Sequence, residues 1–209
     1  MKIFRDRKAA GKILADRLKD TKADLVLGIP RGGVVVAAEI AHELNLPLDI
    51  IVTRKIGAPN QPELALGAVD PDGETVWDDK LLKELRIKNY ELSNEIEKQI
   101  AETKRREEVY RHARPGLAKL VNGNTVIFVD DGMATGATVL AAVKYLKRHG
   151  AKVILAVPVA SQEALNRIKD DCEEIIILHT PEYFQAVGQF YQSFDPVSDE
   201  EVVQYLNQS

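Results

Sequence analysis

Apolar residues in this chain come in short unbroken runs, most of them followed by small residues and then by a segment with helical periodicity. Asp24-Leu-Val-Leu-Gly28-Ile29, Leu48 to Val52, Val126 to Val129, Lys152 to Val157 and Glu174 to Leu178 are such runs. They lack sustained polar alternation, so they predict strands buried on both faces of a parallel sheet. Between them the spacing turns helical. Residues 8 to 19 set Ala10, Ile13, Leu14 and Leu18 along one side, behind a cap at Asp6. A second helix runs from about Val34 to Leu44. Val139, Leu140, Val143 and Leu146 form a stripe that stops at Gly150, and a further helix lies near Gln162 to Lys169. Strand, helix and strand in that order make βαβ units. The set predicts an α/β fold, an open doubly wound parallel sheet of about five strands.

Residues 54–115 do not fit that scheme and read as a hairpin and helical insertion in a single domain spanning 1–209. Asp70-Pro-Asp-Gly73 is a strong turn between Leu64–Val69 and Glu74–Trp77, which predicts a small hairpin. Gly57-Ala-Pro59-Asn60-Gln61-Pro62 is punctuated as a loop. Residues 79–112 are densely charged and free of Gly and Pro, so they predict helix, broken near Lys88-Asn89. Leu92, Ile96 and Ile100 form an i, i+4 stripe of the core type. The cations of Lys104 to Arg111 read as a solvated face with ion pairs, a share in closing a site being the other reading. Residues 180–209 form a C-terminal aromatic segment and a last helix, opened by a capping box at Ser198 and Glu201.

Composition narrows the class. The chain has 209 residues, is 45% hydrophobic and 29% charged, and so can bury a sizeable core. No apolar stretch approaches the roughly 20 residues that span a bilayer, and the N-terminus lacks a signal-peptide core. A cytoplasmic location, with no membrane partner, is the default expectation. One cysteine, Cys172, precludes an internal disulfide and reads as a packing residue. Four histidines stand without metal-ligand spacing. The net charge of −4 argues against a broad nucleic-acid surface.

The chemistry concentrates where the third run ends. Asp130 and Asp131 close the strand, Gly132, Met133, Ala134, Thr135 and Gly136 form a small-residue loop, and Ala137 and Thr138 enter a helix. Bare amides at a helix N-terminus bind phosphate, and the two carboxylates face the same crevice. Amides for phosphate beside acids for hydroxyls suit a sugar phosphate. Walker A and G-x-G-x-x-G patterns are absent. A second strand-to-helix loop, Gly28-Ile29-Pro30-Arg31-Gly32-Gly33, lets backbone approach a ligand closely. Arg54 and Lys55 follow the second strand directly.

Four apolar residues, two acids and a small loop with Thr-Gly-x-Thr resemble the signature of type I phosphoribosyltransferases, which use 5-phosphoribosyl-1-diphosphate (PRPP). The resemblance covers the core from about Asp24 to Val157. It implies transfer of a phosphoribosyl group to a nitrogenous base or similar small acceptor with release of diphosphate, and Mg²⁺ as cofactor. Asp130 and Asp131 would hold the ribose hydroxyls and, indirectly, the metal. Met133 to Thr138 would hold the 5′-phosphate; Arg31, Gly32, Gly33, Arg54 and Lys55 would meet the diphosphate, with Lys55 on a mobile loop. An aromatic near Phe190 and Tyr191 would stack on the acceptor base, or these rings cover an end of the sheet. A homodimer is also implied. Ala134 stands where 6-oxopurine enzymes carry an Asp, which disfavours hypoxanthine and guanine. The insertion is more like a group of such proteins whose acceptor is unassigned. A PRPP-binding regulator without turnover is the alternative on the same fold.

Overall fold

The unbroken apolar runs assemble side by side, each covered on both faces by helices. The computed structural model describes residues 2–59, 61–112 and 114–208. In chain order these are α1 (Arg7–Arg17), β1 (Leu25–Gly28), α2 (Gly32–Leu44), β2 (Leu48–Ile50), β3 (Arg54–Ala58), β4 (Gln61–Val69), β5 (Thr75–Trp77) and α3 (Asp79–Leu85). A 3-10 turn (Asn89–Leu92) leads into α4 (Ser93–Tyr110), then α5 (Leu117–Val121), β6 (Thr125–Val129), α6 (Ala137–Arg148) and β7 (Lys152–Val159). The chain ends with α7 (Gln162–Ile168), β8 (Glu174–His179), a 3-10 turn (Val187–Phe190) and α8 (Asp199–Asn207).

Five parallel strands form the main sheet in the order β2-β1-β6-β7-β8. Leu25, Leu27, Val126 and Phe128 turn to one face, where Val139, Val143 and Leu146 of α6 cover them. Val26, Ile127 and Val129 turn to the other, against Leu14 of α1, Val36 and Ile40 of α2, and Val202 of α8. Burial on both faces is why these strands carry no polar period. From β1 the sheet grows one way to β2 and the other way through β6 to β8. At such a switch the flanking loops part and leave a crevice at the carboxyl ends of the strands. The loops after β1 and β6 border it.

The segment 54–115 adds a second sheet, ordered β3-β4-β5 and antiparallel. Ile56, Leu66, Val69, Leu82 and Leu92 form its core, and Ile96 and Ile100 pack on it, so the helical stripe is structural as expected. The expected loop over Gly57 to Pro62 is instead largely strand; Asn60 lies outside the described residues. Register shifts either side of Gly57 mark a bulge, and a Cβ there would meet the Pro62 carbonyl oxygen at 2.5 Å. The glycine thus signals an irregular hairpin rather than its end.

Ala65 and Ala68 of β4 rest on Ala137 and Ala141 of α6, small residues that let the second sheet approach the helix start closely. Its far turn is tied down by fully buried Asp70, which accepts from Arg148 Nη2 at 2.7 Å. The cations ending α4 are not uniformly solvated. Arg105 and Arg106 pair with Glu102, whereas Arg111 is buried in a two-pronged bond to Asp49 at 3.0 and 2.9 Å.

Beside the crevice the two ends of the chain run together. Ile3 and Phe4 donate to the Phe190 carbonyl at 2.8 and 2.9 Å, and Gln192 and Ser193 donate back to Phe4 and Arg5. Among the described residues no helix is long and apolar enough to cross a membrane.

Candidate functional site

A cleft of about 610 Å³ opens at the switch between β1 and β6. Three walls meet there. The β1–α2 loop supplies Pro30, Arg31 and Gly32; the β6–α6 loop supplies Asp130 to Gly136 and Thr138; and the start of β3 supplies Arg54 and Lys55. Of the residues expected from sequence, these line one space. Gly33 and Ala137 stand behind the wall. A Cβ on Gly33 would lie 2.9 Å from Asp130 Cα, so its bareness lets the two loops touch backbone to backbone.

Both helices that begin at the cleft, α2 and α6, lack a side-chain cap. The α4 and α5 helices also begin without one, whereas Asp6, Asp78, Ser161 and Ser198 cap α1, α3, α7 and α8; at α6 the Thr135 hydroxyl lies 3.5 Å from the Ala137 amide. The first amides of a helix have no intrahelical acceptor, so two sets of donors with positive dipole ends face the cleft. Gly136 opens α6 with φ +73°, a left-handed conformation that glycine adopts without a Cβ penalty. The Pro30–Arg31 peptide is cis.

Between the two helix ends sit the acids. Asp130 Oδ1 accepts the Asp131 amide at 2.8 Å. Burial pushes the Asp130 carboxyl well above the usual carboxylate range, and the charge of Asp131 adds to this while Lys55 opposes it. Burial raises Asp131 too, but Arg7 pulls against it by charge and hydrogen bond. Hydroxyl donors from a ligand would relieve this crowding of negative charge.

The third wall is cationic. Arg54 Nε donates to Gln99 Oε1 at 2.9 Å, and Gln99 in turn donates to Glu95 Oε1 at 2.6 Å. Among the described residues no carboxylate lies within ion-pair distance of Arg54 or Lys55. Burial, with Arg106 beside it, lowers the Arg54 pKa. Glu102 and Glu95 oppose that lowering by charge without contacting the guanidinium, so a part-buried cation with no carboxylate in direct contact is available to an anion. Thr53 adds a buried hydroxyl on the cleft wall with no partner in the protein.

The aromatic expectation is corrected. Phe190 and Tyr191 are 3% and 1% exposed and pack with Phe4, so neither can stack on a base. Tyr191 instead donates its hydroxyl to the Asp131 carbonyl at 2.6 Å. Val187 and Phe194 line the cleft in their place. Val187 lies so close over the acidic loop that a Cβ on Gly132 would meet its Cγ1 at 2.4 Å.

Sequence reasoning missed Arg7, Glu95, Lys98, Gln99, Val187 and Phe194. Arg7 left one faint signal, a cation in the first turn of a helix, where the dipole disfavours it. Gln99 left none, since it is one of many polar residues on a densely charged helix.

Asp130 and Asp131 offer hard oxygen donors, while among the described residues no group of three or more His, Cys, Asp or Glu converges. This donor set fits Mg²⁺ held partly by waters and ligand oxygens rather than by a protein cage.

The profile of the phosphoribosyl transferase domain matches residues 4–190. Rv0571c of Mycobacterium tuberculosis (strain ATCC 25618 / H37Rv), provisionally named a phosphoribosyl transferase, is 43% identical over 212 residues, covering 100% of this chain and 47% of its own. The chain thus spans about half the length of that curated relative. The crystal structure of TT1426 from Thermus thermophilus superposes with a TM-score of 0.80 at 43% identity, over 100% of this chain and 99% of that one. A purine phosphoribosyltransferase from Pyrococcus horikoshii shares the fold at 16% identity, with a TM-score of 0.50 over 94% and 97% of the two chains. By the profile match along most of its length, the chain belongs to the phosphoribosyl transferase domain family.

Proposed function

We propose that this domain transfers a 5-phosphoribosyl group from PRPP to a nitrogen nucleophile and releases diphosphate. One observation carries the reading: two uncapped helix N-termini open on one cleft with paired acids between them. PRPP has the matching layout, a phosphate at each end of a ribose diol. The amides of Met133 to Thr138 take the 5′-phosphate. Asp130 and Asp131 accept from the ribose hydroxyls. Arg31, Arg54, Lys55 and the amides of Gly32 and Gly33 take the diphosphate.

In the reaction the bond from ribose C1 to diphosphate oxygen breaks, and the leaving group keeps the electron pair. The acceptor nitrogen bonds to C1 from the opposite face and gives up a proton. The sugar is oxocarbenium-like in between, so the protein contributes alignment and a stabilised leaving group. Arg54, already positioned by Gln99, needs little reorganisation to receive it. Asp130 and Asp131 would hold Mg²⁺, which when bound would supply Lewis-acid neutralisation of charge on the leaving group. Val187 and Phe194 give the acceptor an apolar wall, and Ala134 offers no acid to a 6-oxo group.

Diphosphate release from PRPP and Mg²⁺ against a panel of bases tests the proposal. The wild type is expected to turn over at least one base, and Asp130→Asn with Asp131→Asn to abolish it. A thermal midpoint raised by PRPP without turnover of any base would favour the regulatory alternative. No rise and no turnover would remove both.

A further inference from the structure

Arg7 belongs to neither loop of the cleft, yet three of its features are engaged there. Its Nε donates to Asp131 Oδ2 at 2.7 Å, the two side chains being 11% and 14% exposed. Its Nη1 donates to the Asp195 carbonyl at 2.8 Å. Its guanidinium carbon stands 3.7 Å from the centroid of the Phe194 ring. Charge, planar fork and stacking face are each used, and lysine supplies only the first.

The consequence falls on Asp131. Arg7 occupies its Oδ2, and Tyr191 holds its carbonyl oxygen at 2.6 Å. The residue is therefore fixed at side chain and main chain, with its carboxylate beside that of Asp130 on the cleft wall. The pair also lies directly against the β1–α2 loop. A Cβ on Gly32 would stand 1.9 Å from Asp131 Oδ2 and 2.8 Å from Arg7 Nε. The first turn of α1 gains nothing from a cation, so the placement of Arg7 is explained by the cleft it serves.

We infer that Arg7 is a positioning residue for ribose recognition. It holds Asp131 in the one orientation that presents a carboxylate oxygen to the sugar diol, and Phe194 and Asp195 hold Arg7 in turn. It touches no substrate itself. The inference rests on the phosphoribosyl reading of the cleft and deepens it by adding a residue outside the motif. It also ties the cleft's apolar wall to the ribose grip, because Phe194 contributes to both.

Two probes separate this role from general support of the fold. Ribose 5-phosphate carries the diol and the 5′-phosphate; inorganic diphosphate engages the cationic wall and the amides of Gly32 and Gly33, and has no diol. Both are titrated calorimetrically, with Mg²⁺ present, into wild type, Arg7→Met, Arg7→Lys and Phe194→Leu. Arg7→Met is expected to weaken ribose 5-phosphate by at least about tenfold while diphosphate stays within roughly twofold of wild type. Arg7→Lys is expected to recover part of the loss, since it keeps the charge without fork or stack. Should Arg7→Met fail to fold, Arg7→Lys and Phe194→Leu carry the same test, each weakening ribose 5-phosphate more than diphosphate. Equal weakening of both probes, or unchanged ribose 5-phosphate binding, overturns the positioning role and leaves the phosphoribosyl reading standing. A wild type that binds neither probe overturns both.

Discussion

Gly32 shows how much of the site depends on a single missing methyl group. The Arg7–Asp131 pair occupies the volume a Cβ would need. Gly32→Ala should therefore turn Asp131 away and part it from Arg7. Separating a largely buried pair is expensive, though relaxation spares some of the cost. We expect the unfolding midpoint to fall by about 5 °C, near 2 kcal/mol for a domain of this size, and PRPP to lose its protective effect. Differential scanning fluorimetry with and without PRPP checks both; an unchanged response to PRPP would refute the argument. At this scale the acidic motif and the Arg-Gly-Gly loop were legible, because each is a contiguous stretch whose residue types imply its chemistry. Arg7 was not, since its partner lies 124 positions away. Phe190 and Tyr191 allowed two readings, stacking on a base or covering an end of the sheet, and their burial with Phe4 and Val159 fits the second. Aromatic spacing alone does not say which rings join a core, and it is Phe194, at the edge of theirs, that reaches the cleft.

Among the elements, α4 is the one whose polar face proved structural as well as solvated. Its Glu107 sits half-buried near Arg111, with Asp72, Asp49 and Asp70 facing it from the hairpin turn and β2. Burial pushes Glu107 up to about 7, Arg111 opposing and the three aspartates adding. Its ordinary value is 4.5, so the folded protein holds this proton more tightly than the unfolded chain does. The associated stability is present at acid pH and is lost as pH rises from about 4.5 through about 7. Glu107→Gln removes that loss. Midpoints of the two proteins should nearly coincide at about pH 5 and separate by about pH 8, with the variant higher by a few degrees. A variant no more stable than wild type at the alkaline end would contradict the assignment. The core strands and their helices could be read from the sequence because burial on both faces leaves apolar runs that nothing else in the chain resembles. β3 could not: it opens with two cations and bends at a bulge, and both features imitate a loop.

For the molecule as a whole, the order of the main sheet explains where chemistry gathers, and the second sheet explains how the cationic wall is held. β4 leans on the start of α6, and α4 clamps Arg54 through Gln99. Ligand binding should therefore register in parts of the insertion as well as in the two loops. Adding PRPP and Mg²⁺ is expected to slow amide exchange in β3 and in the first turns of α2 and α6, with β7 and β8 unchanged. Uniform slowing across both sheets, or none in β3, would mean that the cationic wall does not engage the ligand. The doubly wound layout was foreseeable because βαβ order leaves few alternatives. How the insertion folds back on the core was not, since it rests on pairings such as Asp70 with Arg148, 78 positions apart.

The stitching of Ile3 and Phe4 to Phe190, and of Gln192 and Ser193 to Phe4 and Arg5, carries one more implication. Two short segments paired by a few backbone hydrogen bonds open more readily than core strands. Here such an opening would release Tyr191 and Arg7 together, and with them Asp131. Gentle warming should thus loosen the hold on Asp131 while the helices are still intact, because the residues that support this acid ride on the paired segments.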